Sequence, residues 1–177
     1  MNSLHAAGLY LIDTVFDLYL IILSIRLILA WEHASAINPI VLFIINVTQP
    51  IIGRCRRILP NIGRFELATL FVIVILEILK FSVVSVFFMP QFPSILLLLL
   101  FGLTGTLRLI LNTFFFAVMI NAVLSWIHVG ITPITQVFAQ LSAPILRPLR
   151  RIVPPIAGFD ITPIPALIIL QLLIIVC

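Results

Sequence analysis

The first feature of the sequence that suggests chemistry is a set of polar side chains inside long apolar stretches. In a membrane-spanning helix an ionisable side chain costs about 2.5–3.5 kcal/mol on insertion scales, so it faces a partner or water. Two interpretations follow: hydrogen-bonding groups that hold helices together, or the lining of a hydrated ion or proton path through Asp13, Asp17 and Glu77. The full set is Asp13, Asp17, Arg26, Glu77, Arg108, Asn112, Asn121 and Gln171.

These polar positions recur in the second half of the chain under shifts of 94 or 95 residues. Equivalent positions of two parallel repeats meet near a shared axis, which predicts an ion pair between Asp13 and Arg108. Glu77 and Lys80 are three residues apart on one predicted helix, and we expect them to neutralise one another. The aligned pairs are Asp13 with Arg108, Asp17 with Asn112, Arg26 with Asn121, and Glu77 with Gln171.

A second set of candidates is a repeated motif of prolines and arginines. Its arginines can anchor a stiff loop at lipid phosphates, or they can form a basic surface that docks a partner protein or an anionic lipid headgroup. Glu66 and Asp160 precede helices, where a negative charge offsets the helix dipole, and Thr162 before Pro163 is a predicted N-cap. The motif residues are Pro50, Arg56, Arg57, Pro60, Pro144, Arg147, Arg150, Arg151, Pro154 and Asp160.

Residues arranged for catalysis or metal binding are not recognisable. His5, His33 and His128 are isolated from one another, and the two cysteines stand far apart at positions 55 and 177. Neither a phosphate-binding glycine loop nor a nucleophile elbow is present. We therefore expect no enzymatic activity, no catalytic residue, no metal and no cofactor.

The composition indicates that the elements carrying these residues lie in a lipid bilayer. Hydrophobic residues make up 63% of the 177 positions and charged residues only 9%, against about 25% charged in soluble domains. Because a span needs roughly 20 apolar residues, we predict an all-α membrane protein with about four transmembrane helices. The predicted spans are Gly8–Ala30, Leu67–Phe88, Leu103–Trp126 and Pro163–Cys177.

The arginines predict the orientation of these spans. Both arginine-rich loops should face the cytoplasm by the positive-inside rule, and both termini should then face outward. One crossing between Pro93 and Pro133 places both loops on the same side, whereas two would place them on opposite sides, so we favour a single long helix over Ile95–Trp126 rather than two short ones. The net charge of +4 thus reflects topology and contact with lipid headgroups, and we expect no nucleic-acid binding because the arginines are confined to two short loops.

Two tandem repeats organise the chain, predicted at residues 1–93 and 94–177. Each repeat has a helix, an amphipathic segment, a basic loop and a second helix. The amphipathic segment is predicted between paired prolines, Pro39 and Pro50 in the first copy and Pro133 and Pro144 in the second. In the second copy Ile134, Val137, Phe138 and Leu141 follow the spacing of an amphipathic helix. The first copy keeps the stripe at Ile40, Phe43, Ile44 and Val47 but is more apolar around it, so that segment can lie deeper in the bilayer.

The second basic loop also resembles a known family signature. The segments 144–155 (PILRPLRRIVPP) and 158–163 (GFDITP) are similar to the signature of the YGGT family of small bacterial and plastid membrane proteins. The first copy departs from it at Gly53-Arg54-Cys55 and at Leu67-Ala68-Thr69. The resemblance implies a multi-pass protein of the bacterial plasma (inner) membrane, from a family linked with osmotic and ion homeostasis, cell division and, in plastids, assembly of membrane complexes.

Two function hypotheses follow. In the first, the chain is a membrane scaffold or assembly factor whose basic cytoplasmic face docks a membrane-protein partner, or whose copies form a homo-oligomer. In the second, it is an ion-handling protein or subunit that acts in osmotic or potassium balance. The small number of polar groups inside the apolar stretches suits a scaffold or an oligomeric pore better than a monomeric transporter.

Overall fold

A computed structural model describes residues 3–57, 59, 66–88, 92–127, 130–152 and 160–177. All the regular structure in these residues is helical, so the predicted all-α class is confirmed. The helices are α1 (Ser3–Trp31), α2 (Pro39–Cys55), α3 (Leu67–Phe88), α4 (Ile95–Trp126), α5 (Pro133–Arg150) and α6 (Pro163–Val176).

Two of the described helices have the length and hydropathy of a membrane span, namely Leu67–Phe87 and Ile95–Trp126. The first helix, α1, is long at 29 residues but contains Asp13, Asp17 and Arg26. The last helix, α6, has 14 residues and is therefore about 21 Å long, shorter than a hydrocarbon core of about 30 Å. The structure therefore supports a helical chain, and two of the four predicted spans are long and apolar enough to cross a membrane.

The long apolar stretch forms one continuous helix, α4, of 32 residues. This confirms the single-helix interpretation. The hydroxyl of Ser94 accepts a hydrogen bond from the Leu97 amide and caps its start. Phe81 stacks on Phe101 with ring centroids 4.3 Å apart, and further along α4 Gly105 faces Glu77, earlier in α3. The two helices therefore run antiparallel with their connected ends level. Because α4 is ten residues longer than α3 (32 minus 22), it extends past the start of α3.

The two amphipathic segments are longer than predicted. Both α2 and α5 begin at a proline after a capping residue, Asn38 or Thr132. Rather than ending at the next proline, α2 continues through Pro50, and α5 continues through Pro144 and Pro148. An internal proline costs about 3 kcal/mol, and burial of the apolar face of each helix offsets that cost.

The buried faces of these two helices differ from the predicted stripes. In α5 the buried residues include Val137, Leu141 and Leu146, whereas Ile134 is 52% exposed. In α2 the predicted Phe43 and Val47 are exposed. The residues buried there are Val41, Ile44, Thr48 and Ile52. The predicted stripes were therefore only partly right, because each helix turns a small polar residue toward its neighbours.

The start of α6 also differs from the prediction. Pro163 occupies the first turn as expected, but the Thr162 side chain makes no capping hydrogen bond. Instead, the Thr162 amide donates a hydrogen bond to Asp160 Oδ1 at 3.0 Å. Thr162 therefore occupies the predicted N-cap position, but its hydroxyl does not cap the helix. The Asp160 carboxylate, two residues earlier, accepts the hydrogen bond at this helix start instead.

The two halves repeat local hydrogen bonds but not their full packing. The Thr48 hydroxyl donates to the Ile44 carbonyl at 2.6 Å, and Ser142, 94 positions later, donates to Phe138 at 2.8 Å. Within each half the three helices pack on one another, α1 to α3 in the first and α4 to α6 in the second. Between the halves, however, α3 packs against α4, whereas its equivalent α6 does not contact α1 in the described residues. The repeats are therefore not related by a closed twofold arrangement. The repeat boundaries stay a prediction.

Candidate functional site

A buried ion pair joins the first helix to the start of the third. Arg26 donates from Nε to Glu66 Oε2 at 3.1 Å and from Nη2 to Glu66 Oε1 at 2.9 Å. Arg26 is 4% exposed and Glu66 only 2%. Arg56, at the end of α2, donates to the same carboxylate. Two guanidinium groups thus share one carboxylate.

The remaining donors of Arg26 connect α1 to α2. Its Nη1 group donates to the Thr48 hydroxyl at 2.5 Å and to the Ile45 carbonyl at 3.3 Å, and its Nη2 group donates to Gln49 at 3.3 Å. All five donors of a guanidinium can be used in such an arrangement. Three helices are therefore held together at one arginine.

The environment of Glu66 favours its ionised form. Burial raises the pKa of the Glu66 carboxyl, but the hydrogen bonds and positive charges of Arg26 and Arg56 outweigh burial and hold that pKa below its ordinary value. The sequence predicted that Glu66 precedes a helix but did not predict its partners, Arg26 and Arg56. One available signal was the equal spacing of ten residues between Arg56 and Glu66 and between Arg150 and Asp160.

The second copy has a simpler, more open version of this cluster. Arg150 donates from Nε and Nη2 to Asp160 Oδ2 at 2.9 and 2.7 Å. The Asp160 side chain is 24% exposed, and the position of Arg26 is taken by Asn121. Burial raises the pKa of Asp160, but the hydrogen bonds from Thr162 and Arg150 outweigh burial and hold that pKa below its ordinary value.

Both basic motifs meet the last turns of α1. Arg147 binds Glu32, just after α1, at 2.8 Å, while Arg56 reaches Arg26 through their shared carboxylate. Arg57 and Arg151 follow the ends of α2 and α5. The predicted motif residues Pro60 and Pro154 lie outside the described residues.

A second charged cluster lies among α1 and α3. Lys80 Nζ is 2.5 Å from Asp17 Oδ1 and 3.2 Å from Asp13 Oδ1. Among the described residues, the ion pairs do not include the predicted one between Asp13 and Arg108, nor one between Glu77 and Lys80. The Asp13–Arg108 prediction was wrong. Lys80 lies near enough to attract Glu77, but it pairs directly with α1, where the two aspartates lie one turn apart.

A cavity of about 610 Å³ among α1, α3, α4 and α5 collects several of the predicted polar residues. Its other lining residues are mainly aliphatic and aromatic. Asn121 borders a different cavity, and Gln171 is exposed on α6. The polar groups that meet in the large cavity are Asp17, Glu77, Lys80, Arg108 and Asn112.

Close packing of α3 on α4 places Glu77 at this cavity. A Cβ atom added to Gly105 would lie 2.9 Å from Glu77 Oε2, and one added to Gly102 would lie 2.3 Å from Ile78 Cγ1. The two glycines therefore let the helices approach more closely than larger residues allow. In the described part of the chain, no group of three or more His, Cys, Asp or Glu side chains is placed to hold a metal ion.

The sequence that forms this helical chain, with an arginine-to-carboxylate pair at the end of each amphipathic helix, matches a known protein family. The family model described as CCB3/YggT matches residues 6–87 and 100–177. The chain therefore belongs to the CCB3/YggT family.

Individual relatives resemble the chain over nearly its whole length. An uncharacterized protein named YggT from Escherichia coli strain K12 is 35% identical, over 98% of this chain and 88% of its own. An uncharacterized protein of the proC 3' region from Vibrio alginolyticus is 38% identical, over 97% and 91%. No solved structure matches the chain.

Proposed function

We propose that this chain is a non-enzymatic scaffold of the bacterial inner membrane, whose basic cytoplasmic face docks an acidic surface of a membrane-protein partner. The proposal includes four crossings, with α1 and α6 joining the two apolar helices α3 and α4. Family membership supports a role shared with relatives such as YggT. The orientation rests on the positive-inside rule.

One observation carries the proposal: the buried charges pair inside the molecule, whereas three of the arginines at or just beyond the helix ends do not pair with a described residue. Arg26 binds Glu66, and Lys80 binds the two aspartates of α1. Arg54, Arg57 and Arg151 are exposed and form no ion pair with a described residue. Exposed arginines steer and orient an acidic partner more than they stabilise a fold.

Site-specific photo-crosslinking in intact cells tests this proposal. A photoreactive residue at Ile152, beside Arg151, should capture one discrete protein, and the same residue at Phe92, at the other end of the bundle, should not. Changing Arg54, Arg57 and Arg151 together to glutamine should abolish the crosslink, and changing them to lysine should largely preserve it. Equal capture from both positions, or capture that survives the glutamine changes, would contradict docking by the basic face.

A second candidate, ion handling, has one observation in its favour. The cavity of about 610 Å³ places Asp17, Glu77 and Arg108 on a common surface. We rank it second because both aspartates of α1 are already bound by Lys80 inside the molecule. Ion flux into proteoliposomes tests it: a path through this cavity predicts flux that Glu77→Gln reduces and that Gln171→Ala, outside the cavity, leaves unchanged.

A further inference from the structure

A smaller cavity, of about 380 Å³, lies beside the shared carboxylate of the first repeat. One wall is polar, formed by Arg26, Arg56 and Glu66 together with Gln49 and His33. The rest of the lining, the apolar wall, is formed by Leu29, Ala30, Ala34, Val41, Ile44 and Ile45. The cavity thus offers both charge and hydrocarbon surface to a ligand.

The charges on the polar wall do not cancel. Arg26 and Arg56 contribute two positive charges and Glu66 one negative charge, which leaves a net charge of +1. The nearest acidic residue along α1, Glu32, is already bound to Arg147. An uncompensated charge beside buried groups is unfavourable, so the cluster gains stability from one added anion.

The second repeat provides an internal comparison. There Asn121 replaces the arginine of α1, and Arg150 and Asp160 form a pair with no excess charge. The equivalent motif is therefore neutral. An anion that fits the first repeat has no reason to bind in the same way at the second.

The cavity runs from the membrane interface toward the hydrocarbon. Trp31 marks the interface, where tryptophan is enriched, and Arg26, five residues earlier, lies about 7.5 Å deeper along α1. Arg56 has a side chain that is 41% exposed, so it can reach a ligand while Arg26 stays fixed by Thr48 and Glu66. The depth of the cavity in the bilayer rests on the proposed membrane placement and not on the scaffold role.

We propose that this cavity binds a single phosphodiester group, that of an anionic phospholipid whose acyl chain lies along the apolar wall. One such group brings the total charge of the cluster to zero. Arg56 shares its donors between Glu66 and the phosphate, and Arg26 contributes a fixed positive charge behind them. Free inorganic phosphate has the same recognition chemistry without the chain.

Native mass spectrometry of the delipidated protein in detergent tests the site. With phosphatidylglycerol we expect one tightly bound molecule per chain, and at least tenfold weaker binding to Arg56→Gln, as the loss of a charge-assisted hydrogen bond implies. Arg150→Gln is the matched control in the neutral repeat and should bind as the wild type does. The Arg56 side chain is half exposed, so Arg56→Gln should disturb folding less than a change at the buried Arg26.

Two further ligands separate the possible outcomes. Phosphatidylcholine, with no net charge, should bind at least tenfold more weakly than phosphatidylglycerol; equal binding would overturn the site, as would equal weakening by Arg150→Gln. Inorganic phosphate at millimolar concentration identifies the source: if it protects the chain against heat as well as the lipid does, the anion is free phosphate and the lipid assignment fails. Loss of crosslinking to a partner, by contrast, concerns only the scaffold proposal.

Discussion

Arg26 and Glu66 illustrate how a buried charge is tolerated in this chain. Removing two charges from water is expensive, and their attraction offsets that cost only when the remaining hydrogen-bonding groups are also satisfied. Arg26 meets this condition through Thr48, Gln49 and the Ile45 carbonyl. The pair therefore fixes where α1, α2 and the start of α3 meet, whatever its net contribution to stability.

The first prediction concerns this pair. Glu66→Gln should destabilise by about 3–5 kcal/mol, because it leaves the buried Arg26 guanidinium without a carboxylate. Arg26→Gln should cost less, because Arg56 still binds Glu66. The double variant should lose less than the sum, with a coupling of about 0.5–3 kcal/mol. Denaturation in mixed micelles measures the cycle.

The matched control is the cycle of Arg150→Gln and Asp160→Asn. Its coupling energy should be under about 1 kcal/mol, because that pair is solvent-accessible. Additive losses at Arg26 and Glu66 would contradict direct contact.

The second prediction is a pH dependence. The folded-state pKa of Glu66 lies below its ordinary value, so its stabilising contribution is complete at neutral pH and is lost as the pH falls from about 4.3 through the lowered pKa. Asp160 behaves in the same direction. The melting temperature should therefore drop between pH 5 and pH 3, and Glu66→Gln should show a smaller drop. An identical acid transition in the variant would rule out Glu66 as a contributor.

The third prediction concerns Lys80. Because Lys80 lies 2.5 Å from Asp17, Lys80→Gln and Asp17→Asn should couple by about 0.5–3 kcal/mol in a double-mutant cycle. Asp13→Asn and Arg108→Gln, which form no pair in the structure, should be additive within about 0.5 kcal/mol. Unfolding of the purified variants in detergent gives both values. The reverse pattern would favour the pairing inferred from the repeat alone.

Sequence reasoning found the polar positions but not their partners. Asp17, Arg26, Glu77 and Arg108 stand out because ionisable groups are rare in apolar stretches. Which of them meet depends on how each helix is rotated and how it packs, over separations of 40 residues for Arg26 with Glu66 and 63 for Lys80 with Asp17. The repeat aligned equivalent positions but gave no information on which helix faces touch.

At the scale of elements, apolar length and turn residues predicted most of the helix positions. The ends of α3 at Leu67 and Phe88 agree with the prediction, and α4 begins where Ser94 caps it. The prolines misled the prediction for α2 and α5, because a proline predicts a helix end when tertiary packing is unknown. Burial of Ile52 and Leu146 beyond those prolines explains why both helices continue.

The fourth prediction tests the close packing of α3 on α4. In Gly102→Ala the new methyl group would lie 2.3 Å from Ile78 Cγ1, so we expect destabilisation of about 1–3 kcal/mol from overpacking. Gly105→Ala should cost less, because its nearest neighbour is the end of the flexible Glu77 side chain.

Gly8→Ala is the matched control for that series. Nothing lies within 4 Å of an added Cβ at Gly8, and alanine favours a helix over glycine by about 1 kcal/mol. Heat-induced aggregation of the detergent-solubilised variants ranks all three. If Gly102→Ala proved as stable as Gly8→Ala, the close approach of α3 and α4 would not exist.

At the scale of the whole molecule, the two halves pack against each other without twofold symmetry. The helix α3 packs on α4 across the repeats, but its equivalent α6 has no contact with α1 in the described residues. The cavity that collects Asp17, Glu77 and Arg108 lies among helices of both halves. Duplication was visible in the sequence, but this break in symmetry was not, because it depends on the angle between the halves.

The last prediction concerns how the molecule lies in the membrane. Arg56 and Arg147 both reach the final turns of α1, so the two basic helix ends should lie on one side of the bilayer, and the positive-inside rule assigns them to the cytoplasm. Because α3 and α4 are joined at the opposite end, their connector should face outward. After replacement of the two native cysteines by serine, Arg57→Cys and Ile152→Cys should react only with reagents that enter the cell.

Phe92→Cys, in the connector, is the matched position at the other end and should be blocked by an impermeant maleimide added outside. This pattern requires an even number of crossings between Arg57 and Ile152, and it would support the pair formed by α3 and α4. Opposite accessibility of Arg57→Cys and Ile152→Cys would instead require an odd number. Because Glu66 ties Arg56 to α1 and Glu32 ties Arg147 to the end of the same helix, such a result would be incompatible with both ion pairs at once.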